Sequence, residues 1–157
     1  MSTRFTKRDV SMVESQSLQL FFGAAKMNEQ ISLYLSNALK EKGYRSITPC
    51  ILNFLSTLEC GVNYGSEIAR TLGISRQMVA KNVKELCSKG YLEQVASKGK
   101  QKQILFTELG EHLMSDSRQL LAELDEILCK TVCHTILEET IEKLKNIQVT
   151  VSDIGQD

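Results

Sequence analysis

The sequence contains little that would interrupt a helix, with one proline and nine glycines in 157 residues. Long windows without a helix breaker predict a mainly helical chain. Excess charge of either sign is also missing, because 19 basic side chains balance 19 acidic ones, so the total gives no indication of a polyanionic partner. With 42% hydrophobic residues the chain can bury a core of about one domain. This excludes a disordered protein and a collagen-like fibre.

Signals for export are missing too. The first 15 residues include basic side chains without a continuous apolar stretch after them, and no run approaches the roughly 20 apolar residues that span a bilayer. The cysteines are odd in number and scattered through sequence of helical type, unlike a secreted disulfide framework. They are Cys50, Cys60, Cys87, Cys129 and Cys133. We therefore expect a cytoplasmic protein with reduced thiols.

The charges are distributed unevenly along the neutral chain. Residues 66–106 contain eight basic and three acidic side chains, whereas residues 107–157 contain four and eleven. The middle segment is therefore net positive and the last segment net negative. This asymmetry favours an anionic partner for the middle segment, and a solvated basic face is the alternative.

Apolar periodicity predicts four helices in the first half of the chain. The first covers residues 10–42, and Gly43 ends it. Thr48 followed by Pro49 begins the second, because threonine can cap free amides and proline is tolerated at the first helical position. After a short extended piece, the two shorter helices span residues 66–73 and 75–89.

The helical period is lost between residues 91 and 107. Two short segments there, residues 91–96 and 103–107, predict a β-hairpin with its turn at residues 97–100. Helical periodicity then returns from Thr107. A capping box formed by Thr135 and Glu138 predicts the start of a last helix, and the tail beyond Gln148 is expected to fray.

Residues 65–90 have the pattern of a helix-turn-helix. Ala69 is the small residue needed where the helices cross, and Gly73 tolerates the positive φ of the turn. Ser75 caps the second helix and presents its first turn outward, with donors suited to phosphates and base edges. An ordinary helical corner is the alternative, and the lysines of the following hairpin favour DNA. The predicted DNA-binding residues are Ser66, Ser75, Arg76, Gln77, Lys81, Asn82, Lys98, Lys100 and Lys102.

From about residue 17 to residue 146, the sequence resembles the MarR family of bacterial winged-helix transcriptional regulators. The residues that carry the resemblance are Thr48-Pro49, Ser66-Glu67-Ile68-Ala69, Leu72-Gly73-Ile74-Ser75-Arg76, Val79, Lys89-Gly90-Tyr91-Leu92 and Leu105-Phe106-Thr107-Glu108-Leu109-Gly110. The last of these is similar to the family's LTEKG ending, with Leu109 where a lysine is common. The hairpin, which is the wing of this fold, lacks the family's Asp-x-Arg element. Asn82 stands where many relatives have leucine, so it either faces solvent or DNA or is a buried polar residue.

The resemblance implies a mainly α fold with a small β-hairpin wing, a winged helix-turn-helix with a helical dimerisation region. Residues 1–45 and 108–157 would form the dimerisation region and residues 46–107 the DNA-binding domain. The implied function is sequence-specific regulation of transcription by a homodimer, as a repressor of a pseudo-palindromic operator. Its two recognition helices would lie about 34 Å apart. The alternative is a winged-helix interaction module that does not bind DNA.

The resemblance also implies a cleft for a small aromatic or anionic effector. The candidate residues are Phe21, Phe22, Tyr34, Phe54 and Met114, and core packing is the favoured alternative for them. Cys129, Cys133 and His134 could form a metal site or a thiol switch. Packing is favoured there as well, because a fourth zinc ligand is lacking and no basic cluster is evident near Cys129 beyond Lys130. We expect no cofactor, no metal and no catalytic constellation.

Overall fold

The computed structural model describes residues 15–155, in which six helices and one hairpin follow each other in the predicted order. The elements are α1 (Gln16–Glu41), α2 (Pro49–Glu59), α3 (Gly65–Leu72), α4 (Arg76–Ser88), β1 (Leu92–Ala96), β2 (Lys102–Phe106), α5 (Glu108–Val132) and α6 (His134–Ile154). By their internal contacts these residues divide into two compact units, one ending at Leu113 and one beginning at Met114. The predicted mainly α fold with a hairpin wing is confirmed.

Helices α1, α2 and α4 begin at hydroxyl caps. The side-chain oxygens of Ser15, Thr48 and Ser75 accept hydrogen bonds from the backbone amide three residues ahead, over 3.3, 3.3 and 3.1 Å. Each cap satisfies one of the amides that a helix leaves unpaired. The predicted start of the second helix at Thr48 is thus confirmed. The part of the first predicted helix before residue 15 lies outside the described residues.

The wing is an antiparallel pair in which Leu92 lies opposite Phe106 and Ala96 opposite Lys102. Its loop has five residues, 97–101, rather than the predicted four. The extended piece before α3 lies alongside β2, where Asn63 and Ile104 exchange two hydrogen bonds. The amide of Ile104 donates to the Asn63 carbonyl over 2.8 Å, and Asn63 Nδ2 donates to the Ile104 carbonyl over 3.3 Å. These bonds hold the wing against the start of α3.

The core of the first unit forms where α1 to α4 and the wing meet. Each buried aliphatic or aromatic side chain there contributes about 1.5–3 kcal/mol relative to exposure. The largest fully buried side chains are Phe54, Leu39, Leu55, Ile68, Leu86, Ile104 and Leu113. Ser36 is buried beside them and donates to the carbonyl of Ile47 over 2.5 Å. Among the described residues, no helix has the length and hydropathy needed to cross a membrane.

The start of the last helix differs from the prediction. Helix α5 continues to Val132 and α6 begins at His134, so a single residue, Cys133, separates them at φ +75°. Thr135 lies inside α6 and therefore does not cap it, and the predicted capping box is wrong. The prediction of a frayed tail beyond Gln148 is also wrong, because α6 extends to Ile154. No glycine or proline interrupts the sequence between Cys133 and Gly155.

Gly110 lies at a close backbone contact near the start of α5. Thr107 caps this helix, since its Oγ1 accepts from the Gly110 amide over 3.1 Å. The backbone of Gly110 lies so close to the carbonyl oxygen of Tyr91 that a Cβ added at position 110 would collide with it. The resemblance motif that ends in Gly110 therefore has a steric reason: only glycine fits against this carbonyl.

We predict that Gly110→Ala lowers the free energy of unfolding by about 2 kcal/mol or more, because the backbone carbonyl of Tyr91 cannot move aside freely. Urea denaturation followed by circular dichroism measures this change. The matched control is Gly23→Ala in α1, where a Cβ would meet open space. In that variant the free energy of unfolding should rise by about 0.5–1 kcal/mol. Equal effects of the two substitutions would contradict the close contact at Gly110.

Candidate nucleic-acid interface

The corner between α3 and α4 has the geometry of a helix-turn-helix. Gly73 ends α3 in the left-handed conformation at φ +64°, and the amide of Ile74 donates to the Ala69 carbonyl over 3.1 Å. This is the bonding of a glycine-terminated helix. Ala69 is buried, as expected for the small residue where two helices cross. The predicted roles of Ala69 and Gly73 are both confirmed.

Helix α4 has one buried and one exposed face. Val79, Val83 and Leu86 are buried, and Asn82 lies with them at 7% exposure. The prediction that Asn82 contacts DNA is therefore corrected, because its side chain belongs to the inward face of the helix. The exposed polar side chains of α4 include Arg76, Gln77, Lys81 and Lys84. Lys84 is not among the predicted residues, although its three-residue spacing from Lys81 places both on one side of the helix.

Ser75 and Ser66 stand at the two helix starts of the corner. The Ser75 oxygen accepts from the Met78 amide, which leaves its hydroxyl proton available to a phosphate. Ser66 is half-buried, and its Oγ donates to Oε1 of Gln101 in the wing loop over 3.4 Å. A second bond, of 2.9 Å between the Tyr64 hydroxyl and Ser97 Oγ, also ties the wing loop to this region.

An open cleft of about 380 Å³ separates the exposed face of α4 from the wing. Three cationic side chains line it, Arg76 from α4 with Lys100 and Lys102 from the wing, and none of its lining residues is acidic. Gln94 and Gln101 add amide groups that could donate to an anion or a base edge. Neither glutamine is among the predicted residues, because nothing local in the sequence predicts that they face α4.

A neighbouring groove of about 480 Å³ runs along α3 and shares Ser66, Arg76 and Gln101 with the first cleft. It adds Arg70, an exposed cation in the last turn of α3 that the sequence analysis did not select. Lys98 is exposed in the wing loop but lines neither of these two depressions. The structure thus brings together Ser66, Arg76, Lys100 and Lys102, and it places Gln77 and Lys81 on the adjoining exposed face of α4.

The five effector candidates occupy dissimilar environments. Phe54 and Met114 are buried, at 1% and 3% exposure, whereas Phe21 and Phe22 are 65% and 61% exposed. Tyr34 is half-buried. The rings of Phe21 and Phe22 make an edge-to-face contact with centroids 5.4 Å apart. Phe54 and Met114 are therefore buried, in line with the favoured alternative, whereas core packing is wrong for Phe21 and Phe22.

Comparison with known proteins finds similarity at the level of structure. No protein-family model matches the sequence, and no curated protein matches it. Many solved structures match the fold. A MarR transcriptional regulator from Methanosarcina mazei Go1 superimposes with a TM-score of 0.72 at 16% identity, covering 89% of this chain and 94% of that one. A MarR-family regulator from Rhodococcus sp. RHA1 gives 0.64 at 18% identity, with 85% and 95% covered.

A third structure is a mutant of MarR from E. coli complexed with operator DNA. It superimposes with a TM-score of 0.62 at 17% identity and covers 82% of this chain and 91% of that one. Similarity of this extent, over more than four fifths of each chain, includes the helix-turn-helix, the wing and the flanking helices. The chain described here therefore has the winged helix-turn-helix fold of the MarR-family transcriptional regulators.

Proposed function

We propose that this chain belongs to the MarR family and acts as a homodimeric, sequence-specific regulator that binds double-stranded DNA and represses transcription. The observation that carries the proposal is the cleft between α4 and the wing, lined by Arg76, Lys100 and Lys102 and by no acidic side chain. Clustered cations on one face are the electrostatic footprint of a nucleic-acid partner. The neighbour solved with operator DNA supports the same conclusion.

The exposed face of α4 is the proposed reading surface. Gln77 and Lys81 have donors for base edges in the major groove, and Arg76 near the helix start can bind a base or a phosphate. Ser66 and Ser75 would bind phosphates, as would Lys98, Lys100 and Lys102 of the wing. Arg70 and Lys84 extend this surface. Asn82 is left out because it is buried.

Exposed apolar side chains support the proposed homodimer. In the described chain, helix α6 has no buried residue, and four of its apolar side chains are between 37% and 52% exposed, namely Ile136, Ile141, Leu144 and Ile147. Helix α1 exposes Leu20, Phe21, Phe22, Met27 and Leu33. Apolar surface of this extent is typical of a protein interface. A second copy of this chain is the proposed cover, with residues 1–45 and 108–157 forming the dimerisation region and residues 46–107 the DNA-binding domain.

Release from DNA would follow from a change in the spacing of the two recognition helices. A small aromatic or anionic effector, or modification of a thiol, can shift the dimer only if it favours a spacing unsuited to two successive major grooves. The dimeric arrangement supplies such a coupling, because each α4 would be held at a fixed distance from its partner. Promoter occlusion would then end when the ligand binds.

The proposal is tested by selecting duplexes from a random library with the full chain at 150 mM salt and sequencing those retained. We expect a pseudo-palindrome whose half-sites are about 10 base pairs apart. Gel shifts with the selected duplex and a scrambled duplex then give the specificity ratio. Retention of no duplex above the background level would instead favour an interaction module that does not bind DNA.

We predict that Lys98→Ala with Lys100→Ala weakens binding to selected and scrambled duplexes alike. Each lost phosphate contact should reduce the slope of log affinity against log salt by about 0.9. Gel shifts between 50 and 300 mM salt measure this slope. The matched control removes two lysines from the acidic C-terminal segment, Lys130→Ala with Lys145→Ala, and should leave the slope unchanged. An unchanged slope in the wing variant would remove these lysines from the contacts.

We predict that Gln77→Ala relaxes the preference for particular base pairs by about 1–3 kcal/mol at those positions, because a base-edge contact is lost. The measurement is a second selection from the random library with the variant. Asn53→Ala, at an exposed amide of α2, serves as control and should reproduce the wild-type preference. Should the Gln77 variant select the wild-type sequence, Gln77 does not read bases.

We predict that Ile141→Glu with Leu144→Glu converts the dimer to a monomer, because four charges would enter the proposed interface. Light scattering coupled to gel filtration should report a mass near 17.6 kDa for the variant and about twice that for the wild type. Asn146→Glu on the opposite face of the same helix adds charge outside the apolar stripe and should remain dimeric. A wild-type mass near 17.6 kDa would rule out the proposed homodimer.

A further inference from the structure

Three chemically complementary side chains meet at the junction of α5 and α6. Sγ of Cys129, in the last turn of α5, lies 3.5 Å from Nδ1 of His134, the first residue of α6. Nε2 of the same imidazole lies 3.1 Å from Oε1 of Glu138. Cys129 is half-buried, and all three residues belong to the unit that begins at Met114. A thiol, an imidazole and a carboxylate are thus connected in a row.

The break between the helices is what brings these groups together. In an uninterrupted helix, residues five positions apart point about 140° away from each other. Cys133 interrupts the helix with φ +75° and ψ 134°, a conformation that residues other than glycine rarely adopt. The chain turns at this residue, and His134 then faces Cys129. Backbone strain of this kind is often found at functional sites.

The order of the three groups determines the direction of proton transfer. An ionised carboxylate only accepts hydrogen bonds, so Glu138 favours the imidazole tautomer that carries its proton on Nε2. The lone pair of neutral His134 then lies on Nδ1, next to the thiol of Cys129. A nucleophile beside a base that is oriented by a third group is the arrangement of activated nucleophiles. Among the described residues, no group of three or more His, Cys, Asp and Glu side chains is arranged so that it could hold a metal ion.

We propose that Cys129 is a nucleophilic thiol that adds to α,β-unsaturated carbonyl compounds, with His134 as its proton acceptor and Glu138 as the positioning residue. Sγ forms a bond to the β-carbon while the carbon–carbon π bond breaks, and His134 takes the thiol proton. His134 then returns this proton to the α-carbon, so the product is a thioether and nothing leaves. That this reaction would release the protein from DNA rests on the proposed function. The thiol reaction itself is tested without DNA, so the two can fail separately.

The other cysteines provide internal comparisons. Cys133 is exposed and lies four residues from Cys129, so accessibility alone would make it react first. Burial, followed by the nearby Glu93 carboxylate, raises the pKa of the Cys87 thiol and keeps it protonated. Faster reaction of Cys129 than of Cys133 would therefore indicate that the imidazole of His134 activates the Cys129 thiol.

The test is competitive alkylation of the full chain by a limiting amount of N-ethylmaleimide at pH 7, followed by trypsin and mass spectrometry. Cleavage after Lys130 places Cys129 and Cys133 on separate peptides, so their rates are measured in one sample. We expect Cys129 to react about tenfold faster than Cys133. His134→Ala should lower the Cys129 rate by about tenfold, added imidazole should restore part of it, and Glu138→Gln should lie between the two.

The matched control is Thr135→Ala, which changes the neighbouring side chain of α6 and should leave the Cys129 rate unchanged. Circular dichroism checks that each variant retains its helix content, and the Cys133 rate within each variant reports local unfolding. The proposal is overturned if Cys133 reacts as fast as Cys129, or if His134→Ala leaves the Cys129 rate unchanged. Modification of Cys129 by hydrogen peroxide but not by maleimide would overturn the assigned class of electrophile.

Discussion

Tyr91 uses every polar group it has to join the parts of the first unit. Its amide donates to Leu86 at the end of α4, over 2.9 Å, and its carbonyl accepts from the Thr107 amide over 3.0 Å. Its buried hydroxyl accepts from the Arg45 amide over 2.8 Å and donates to the Arg45 carbonyl over 3.2 Å. The same carbonyl admits only glycine at position 110. The end of α4, the start of the wing and the start of α5 are therefore fixed by one residue.

This constraint determines how the candidate DNA surface is built. Because Tyr91 is bonded to the last turn of α4 and to the residue before α5, it fixes where the wing leaves α4, and the wing lysines line the same cleft as Arg76. The bonds of Asn63 to Ile104 and of Ser66 to Gln101 hold the other side of the wing. Hydrogen bonds on both sides of the wing therefore position the candidate surface.

Local patterns predicted much of this fold. The Thr48 and Ser75 caps, the Gly73 turn and the two strands follow from neighbours within four residues, and the structure has each of them. The exposed positions of Arg76, Gln77 and Lys81 follow from the Ser75 cap in the same way. The sequence did not predict features whose deciding contact lies far away along the chain or whose backbone conformation is unusual. Gln101 meets Ser66 across 35 residues, and Cys133 adopts a positive φ that favours glycine.

Asn82 and His134 are the residues of the candidate sites that the sequence leaves open. The spacing of Val79, Val83 and Leu86 puts position 82 on the inward face of α4, whereas its polar residue type favours contact with solvent or DNA, and the packing decides for burial. The sequence groups His134 with Cys129 and Cys133 but favours packing for them, since the imidazole faces Cys129 only after the chain turns at Cys133. Side chains brought together by a break in regular structure are the ones that periodicity cannot find.

The lack of any buried residue among those described in α6 has a consequence for how the protein responds to its own abundance. A helix without buried contacts must rely on local interactions, and these alone stabilise a helix only marginally. If a second copy covers it, folding of this segment becomes a bimolecular event governed by mass action. The cellular level of the protein would then set both the number of regulators and the fraction with an ordered C-terminal helix. Dilution would act on the molecule much as a destabilising mutation does.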